Sequence, residues 1–136
     1  MSKILDVLVG KTIKSITLNK SADEITFTFN EGKDEVYSVD GDCCSNSWIE
    51  HITVPNDVDG AKVLSCTNLT MDTKDNVIDE YGFTHESLQY YETRISTNKG
   101  DIVLEYRNSS NGYYGGYLTR KDKHGKFRQY YFTDEN

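Results

Sequence analysis

Tyr106-Arg107-Asn108-Ser109-Ser110-Asn111-Gly112-Tyr113-Tyr114-Gly115-Gly116-Tyr117 holds the strongest turn signal in the chain. Asn111-Gly112 suits a two-residue turn that needs positive φ at successive positions, and residues at home on a pleated, half-buried strand flank it. A hairpin read this way pairs Tyr106 with Tyr117 on one face, and Arg107 with Gly116 and Val103 with Arg120 on the other. Gly115 and Gly116 weaken a strand interior, which points to a bulge or to a group approaching the backbone closely.

The same pattern extends in both directions. Leu88–Thr97, Ile102–Asn108, Tyr113–Arg120 and Phe127–Phe132 are strand-like runs. Asn98-Lys99-Gly100, Asn111-Gly112 and Lys123-His124-Gly125 separate them as turns, so a four-stranded antiparallel meander is expected. Upstream, Glu24-Ile25-Thr26-Phe27-Thr28-Phe29 alternates cleanly between Ile13–Leu18 and Val36–Val39, with Asn30–Lys33 as a turn, an N-terminal meander.

Two segments read as short helices. Ser2 can cap one in which Ile4, Leu5 and Leu8 share a face, with Gly10 at its left-handed end. Asp42 can cap another over Cys43–His51, on which Cys44 and Trp48 lie one turn apart. Lys62–Met71 is strand-like, while Pro55–Gly60 and Asp72–Asp79 read as loops. The expected fold is therefore α+β: a strand-dominated, antiparallel single domain over residues 1–136, with two short helices.

Composition narrows the function. The chain has 136 residues and a formal charge of −7, which disfavours adhesion to duplex DNA or anionic lipid. The charge is uneven: residues 1–85 carry 15 acids against 7 Lys or Arg, whereas residues 86–136 carry 7 against 8. All four arginines, Arg94, Arg107, Arg120 and Arg128, fall in the second part, with eight of the ten tyrosines. No apolar run reaches the ~20 residues of a membrane helix and no signal-peptide pattern opens the chain, so a cytoplasmic setting is expected.

Catalytic motifs are missing at the level of sequence. There is no P-loop, no dinucleotide-binding glycine pattern and no Gly-x-Ser-x-Gly elbow. Cys43, Cys44, Cys66 and His51 lack the paired spacing of a zinc site, and the acidic loops do not fit a calcium motif. On the expected helix, Cys44 and His51 are too far apart along the axis for a nucleophile and its base. Glu92 and Glu105 can face each other across adjacent strands, but such charges commonly form a solvated ion-pair surface. No cofactor and no metal are expected.

Tyrosine-rich strands have two uses. One member of each pair 90/91, 113/114 and 130/131 must point outward, and outward Tyr beside Arg is typical of binding surfaces. The candidate ligand-binding residues are Arg107, Tyr113, Tyr114 and Arg120, with tyrosines stacking on a base and arginines gripping phosphate. Tyr106 and Tyr117 are expected mainly to pack.

Asp-Cys-Cys-Ser-Asn-Ser-Trp-Ile-Glu at 42–50, Ser-Asn-Gly-Tyr-Tyr at 110–114 and Val-Gly-Lys-Thr-Ile at 9–13 together resemble blocks shared by an uncharacterised family of small phage and prophage proteins. The resemblance spans most of the chain and implies a phage origin without assigning catalytic residues. It leads to the expectation of a non-enzymatic accessory protein that neutralises a host defence component, by sequestering a nucleotide signal, in which case a homodimer could enclose the ligand. The alternative is an acidic inhibitor that binds a host protein in competition with nucleic acid for a basic cleft. A cysteine-dependent enzyme is a third reading.

Overall fold

The computed structural model describes residues 5–41, 45–67, 70–111, 116–121 and 127–130. Ten strands run through them: β1 Thr12–Leu18, β2 Glu24–Phe29, β3 Glu35–Gly41, β4 Asn46–Thr53, β5 Ala61–Cys66, β6 Thr70–Ile78, β7 Thr84–Thr97, β8 Gly100–Ser110, β9 Gly116–Lys121 and β10 Phe127–Tyr130. All pair antiparallel in the order β10-β9-β3-β2-β1-β5-β7-β8-β4, and β6 pairs with the first half of β7. The only helical element among the described residues is a 3-10 turn, Asp6–Leu8. The fold is all-β, and the α+β expectation is corrected.

Both expected helices fail for identifiable reasons. At the N-terminus the apolar spacing buries Leu5 and Leu8, but it is spent on a single tight turn, and Gly10 adopts φ +88° before β1 begins. A helix of two turns is marginal without tertiary support. The second segment becomes β4 from Asn46 onward, because Trp48, Ile49, Ile52 and Thr53 suit a pleated surface and β8 offers a ladder. Ile49 opposes Tyr106 in the core, and Trp48 opposes Arg107 on the outer face. Asp42, Cys43 and Cys44 lie outside the described residues.

The sheet folds on itself. Ile13, Ile25, Phe27, Tyr37, Val39 and Leu118 from the β1-β2-β3-β9 half share one buried cluster with Ile49, Val63, Tyr91, Ile95, Ile102, Leu104 and Tyr106 from the other half. Alternation in β2 and β8 supplies the inward residues, as strict period-two patterning requires. Tyr91 and Tyr106 stack with ring centroids 4.7 Å apart. The Ile49 N–H donates to the Ala22 carbonyl at 2.6 Å, tying β4 to the connection between β1 and β2.

β8 and β9 do not form the expected hairpin. Both edges of β8 are taken, one by β7 and the other by β4, while β9 pairs with β3 from Val36↔Lys121 to Gly41↔Gly116. Tyr106 therefore faces Tyr91 and Ile49 instead of Tyr117, and Arg120 faces Tyr37 instead of Val103. The four-stranded C-terminal meander is replaced by two hairpins, β7–β8 and β9–β10, lodged in different halves of the sheet. Lys62–Met71 divides between β5 and β6, and Asp72–Asp79, expected as a loop, is mostly β6.

The expected close approach at the glycines is real at Gly116. A Cβ there would lie 2.9 Å from the Asn108 Cβ and 3.0 Å from the Ser47 Oγ. A buried hydrogen-bond chain surrounds it. The Ser47 hydroxyl is shared between the Asp40 carbonyl at 3.1 Å and the Asn108 Oδ1 at 2.7 Å. The Gln89 Oε1 accepts from Asn108 at 2.9 Å and from the Tyr91 hydroxyl at 3.1 Å, and the Gly116 N–H donates to the Tyr91 hydroxyl at 3.0 Å. This chain links polar groups of β3, β4, β7, β8 and β9 where these strands meet.

Candidate functional site

The outer face of the β6-β7-β8-β4 half carries the site. Register sets two rows of side chains across it: Asp72–Tyr90–Arg107–Trp48, and next to it Lys74–Leu88–Ser109–Asn46. Each row exists because directly paired residues in antiparallel strands project from the same face. A bulge in β4 between Ile49 and His51 adds Glu50 to the outer side, where its Oε1 accepts from the Trp48 indole N–H at 2.9 Å.

Beyond the rows, the β6–β7 turn Asp79–Phe83 borders a groove of about 760 Å³. Its wall includes Trp48, Tyr81, Phe83, Tyr90 and Arg107, above a buried Leu88. Ile78, Tyr81 and Phe83 are 70%, 77% and 67% exposed. Large apolar side chains clustered and left in water mark an interaction surface far better than scattered ones. The charged lining is mainly acidic, with Glu50, Asp79 and Glu80 against Arg107.

Arg107 is held in place. Its guanidinium lies 4.6 Å from the Tyr90 ring centre, Nη1 donates to the Tyr106 carbonyl at 3.3 Å, and Nη2 lies 3.7 Å from Glu105. Lys74 approaches the same Tyr90 ring at 5.3 Å. Glu92 and Glu105 do stand opposite each other, as the sequence suggests, and each has an arginine two residues along: Arg94 for Glu92, Arg107 for Glu105.

Arg120 sits elsewhere. It points along the inner side of the β9-β3 pair and makes a fork with Glu35, Nε to Oε1 at 2.7 Å and Nη2 to Oε2 at 3.1 Å. Lys11 adds a third contact at 3.4 Å and lies 4.9 Å from the Phe29 ring centre. Burial pushes the Glu35 carboxyl up, but Arg120 and Lys11 outweigh it and hold the group below the usual carboxylate range. Arg107 and Arg120 are thus in opposite halves of the sheet and do not converge. Tyr113 and Tyr114 lie outside the described residues.

A second polar constellation borders the groove. The Asp79 Oδ1 accepts backbone N–H groups from Tyr81 at 2.9 Å and Phe83 at 3.0 Å, closing the turn, while its Oδ2 lies 2.9 Å from the His85 Nε2. The His85 Nδ1 lies 2.7 Å from the Ser109 Oγ. The Trp48 ring is 6.0 Å from the imidazole, centre to centre. His85 and the two backbone donors hold the Asp79 carboxyl below its ordinary range.

Arg107 lies on the outer face, apart from Arg120, with which sequence reading grouped it, and Tyr90 and Tyr91 face opposite ways with Tyr91 the buried member. Sequence reading missed Trp48, taken as a helix anchor, and it missed Asp79, His85 and Ser109 altogether. The signal for Trp48 was available in the β-branched run that follows it. No local spacing joins His85 to Ser109, which meet only in the folded sheet. As for Cys66, burial and then Asp6 push its thiol up to about 12, which makes it a poor nucleophile.

The fold and the groove define a strand-built protein with an aromatic, acid-rimmed cleft on one sheet face. No curated protein and no solved structure matches the chain. The domain of unknown function DUF7448 matches residues 6–119, and the chain belongs to that family. None of the chain's described helical structure is long and apolar enough to cross a membrane.

Proposed function

We propose that the chain is a phage accessory protein that acts by binding a host protein, a defence component, through the groove beside Trp48. The observation that carries this reading is the pairing of exposed Ile78, Tyr81 and Phe83 with an acidic lining of Glu50, Asp79 and Glu80. Aromatic anchors inside a polar rim are the usual anatomy of a binding hot spot. The partner that fits is a basic segment bearing an apolar or aromatic side chain, such as borders a nucleic-acid cleft. The phage origin rests on the Asp42–Glu50, Ser110–Tyr114 and Val9–Ile13 blocks. The cell interior of the host is the setting this reading requires.

Nucleotide capture is the second reading. It is favoured by Arg107 lying between Tyr90 and Trp48 in one row, an arrangement able to stack a base and hold one phosphate. Trp48 is the chain's single tryptophan, so its fluorescence reports entry into the groove. An Arg- and Trp-free basic peptide carrying Phe should quench it, with affinity falling steeply as salt rises. Cyclic and ADP-ribose-type nucleotides should leave it unchanged. Quenching by nucleotides alone would replace the first reading with the second, and no response to either probe would remove both.

A further inference from the structure

Asp79, His85 and Ser109 form a continuous relay, 2.9 Å from Asp79 Oδ2 to His85 Nε2 and 2.7 Å from His85 Nδ1 to Ser109 Oγ. We propose that Ser109, whose neighbours Asn46, Leu88 and His85 line the groove, is a nucleophile with His85 as its general base, and that this site hydrolyses small uncharged or cationic esters. The proposal is independent of the partner-binding reading.

Three observations go beyond the bonds themselves. The relay is oriented from its far end, because the Tyr81 and Phe83 N–H groups fix Asp79 while leaving Oδ2 for His85. Holding the Nε2 proton against Asp79 leaves the lone pair of Nδ1 facing Ser109, the tautomer a base needs. The roles of the two ring nitrogens are reversed relative to the usual serine-hydrolase arrangement, but the proton path is equivalent. His85 is 13% exposed, shielded yet reachable, and lines the groove.

Third, the neighbours of Ser109 suit an acyl group. Asn46, directly across from it on β4, also lines the groove and offers an amide N–H of the kind that stabilises an oxyanion. Leu88, its partner on β7, provides an apolar floor. The acids Glu50, Asp79 and Glu80 disfavour an anionic substrate.

In the first step the Ser109 Oγ attacks the ester carbonyl carbon and its proton passes to His85 Nδ1. The carbonyl–oxygen bond to the leaving group then breaks, and the leaving alkoxide takes that proton from His85, departing as an alcohol. Water attacks the acyl-serine, again giving a proton to His85, and the return of that proton to Ser109 releases a carboxylic acid. Ester and water become acid and alcohol, and no further reactant is needed.

The test is labelling of the full chain with a fluorophosphonate, read by intact mass and peptide mapping, beside hydrolysis of p-nitrophenyl butyrate. Ser109 should be labelled stoichiometrically, and S109A should abolish both label and turnover. H85Q should slow both by at least about 100-fold. Asp79 is a positioning residue: D79N should slow labelling by roughly a thousandfold and lower kcat for p-nitrophenyl butyrate while leaving KM unchanged. Circular dichroism should show every variant folded. Wild-type labelling no faster than in folded S109A, or a label elsewhere, would overturn the proposal and leave a tie that merely anchors the turn. S109A, which changes no residue of the groove lining, should lose labelling but still respond to the basic peptide at Trp48, and this separates the inference from the binding reading.

Discussion

Two arginines, thirteen residues apart in sequence, do opposite work in the two halves of the sheet. Arg120 is clamped at 2.7 and 3.1 Å to Glu35, whose residue is only 8% exposed, with Lys11 completing the cluster. Arg107 has only a 3.7 Å approach to Glu105 and spends its planar surface on Tyr90, at the edge of a groove. The first geometry is a bidentate fork on a largely buried carboxylate, so it serves the fold; the second stacks on an aromatic ring beside the groove and makes no fork with a carboxylate. Composition treats the two residues alike, and their partners and strand register tell them apart.

The sharpest way to break that contrast is to delete each arginine. R120A leaves the largely buried Glu35 carboxylate with Lys11 alone among the described residues and should cost roughly 2–3 kcal/mol, about 6–10 °C in Tm by calorimetry. R107A should cost about 1 kcal/mol or less while changing the Trp48 response to ligand. Equal losses in both would erase the distinction.

Next in size is G116A. Its Cβ would stand 2.9 Å from the Asn108 Cβ, which has no flexible end to move aside, so a loss of about 2 kcal/mol in urea unfolding is expected. An unchanged midpoint would mean that the seam between the two halves is looser than its hydrogen-bond chain implies.

Acid titration sharpens the comparison from the Glu35 side. Its folded pKa is lowered from the ordinary 4.5, so its stabilising contribution is complete above that value and is lost as pH falls through the lowered one. E35Q should therefore flatten the stability profile in that acid range and leave it unchanged near neutrality in slope. A profile as steep as wild type would assign the acid loss to other carboxylates.

The smallest effect is expected at Tyr106. Its hydroxyl is buried with no hydrogen-bond partner among the described residues, and burial pushes its ionisation far upward. Y106F keeps the stacking on Tyr91 and removes an unsatisfied group, so Tm should hold or rise by the equivalent of up to about 1 kcal/mol. A clear fall would reveal a polar partner for that hydroxyl.

Strands with clean alternation were legible from residues alone. Glu24–Phe29 and the Asn98-Lys99 turn between β7 and β8 stand where local pattern puts them. Segments with mixed signals were not. Asn46–Thr53 carries both a one-turn apolar spacing and a β-branched run, and the open edge of β8 decided between them. Asp72–Asp79 looks like a loop by polarity, yet it pairs as an exposed strand because Thr84–Tyr91 supplies its ladder.

By itself the sequence determined that this chain is strand-rich, acidic and tyrosine-laden toward its C-terminal part, and that Tyr90 and Tyr91 must face opposite ways. Period-two geometry and charge counts are local properties, which is why residues alone suffice for them. Only the tertiary structure decided that β9 joins β3 instead of β8, that Arg107 and Arg120 part company, and that Trp48, His85 and Asp79 meet at one groove with Ser109 bonded to His85. Those outcomes depend on which strand edges remain free once the two halves close over a shared core, and no residue carries that information in its immediate neighbours.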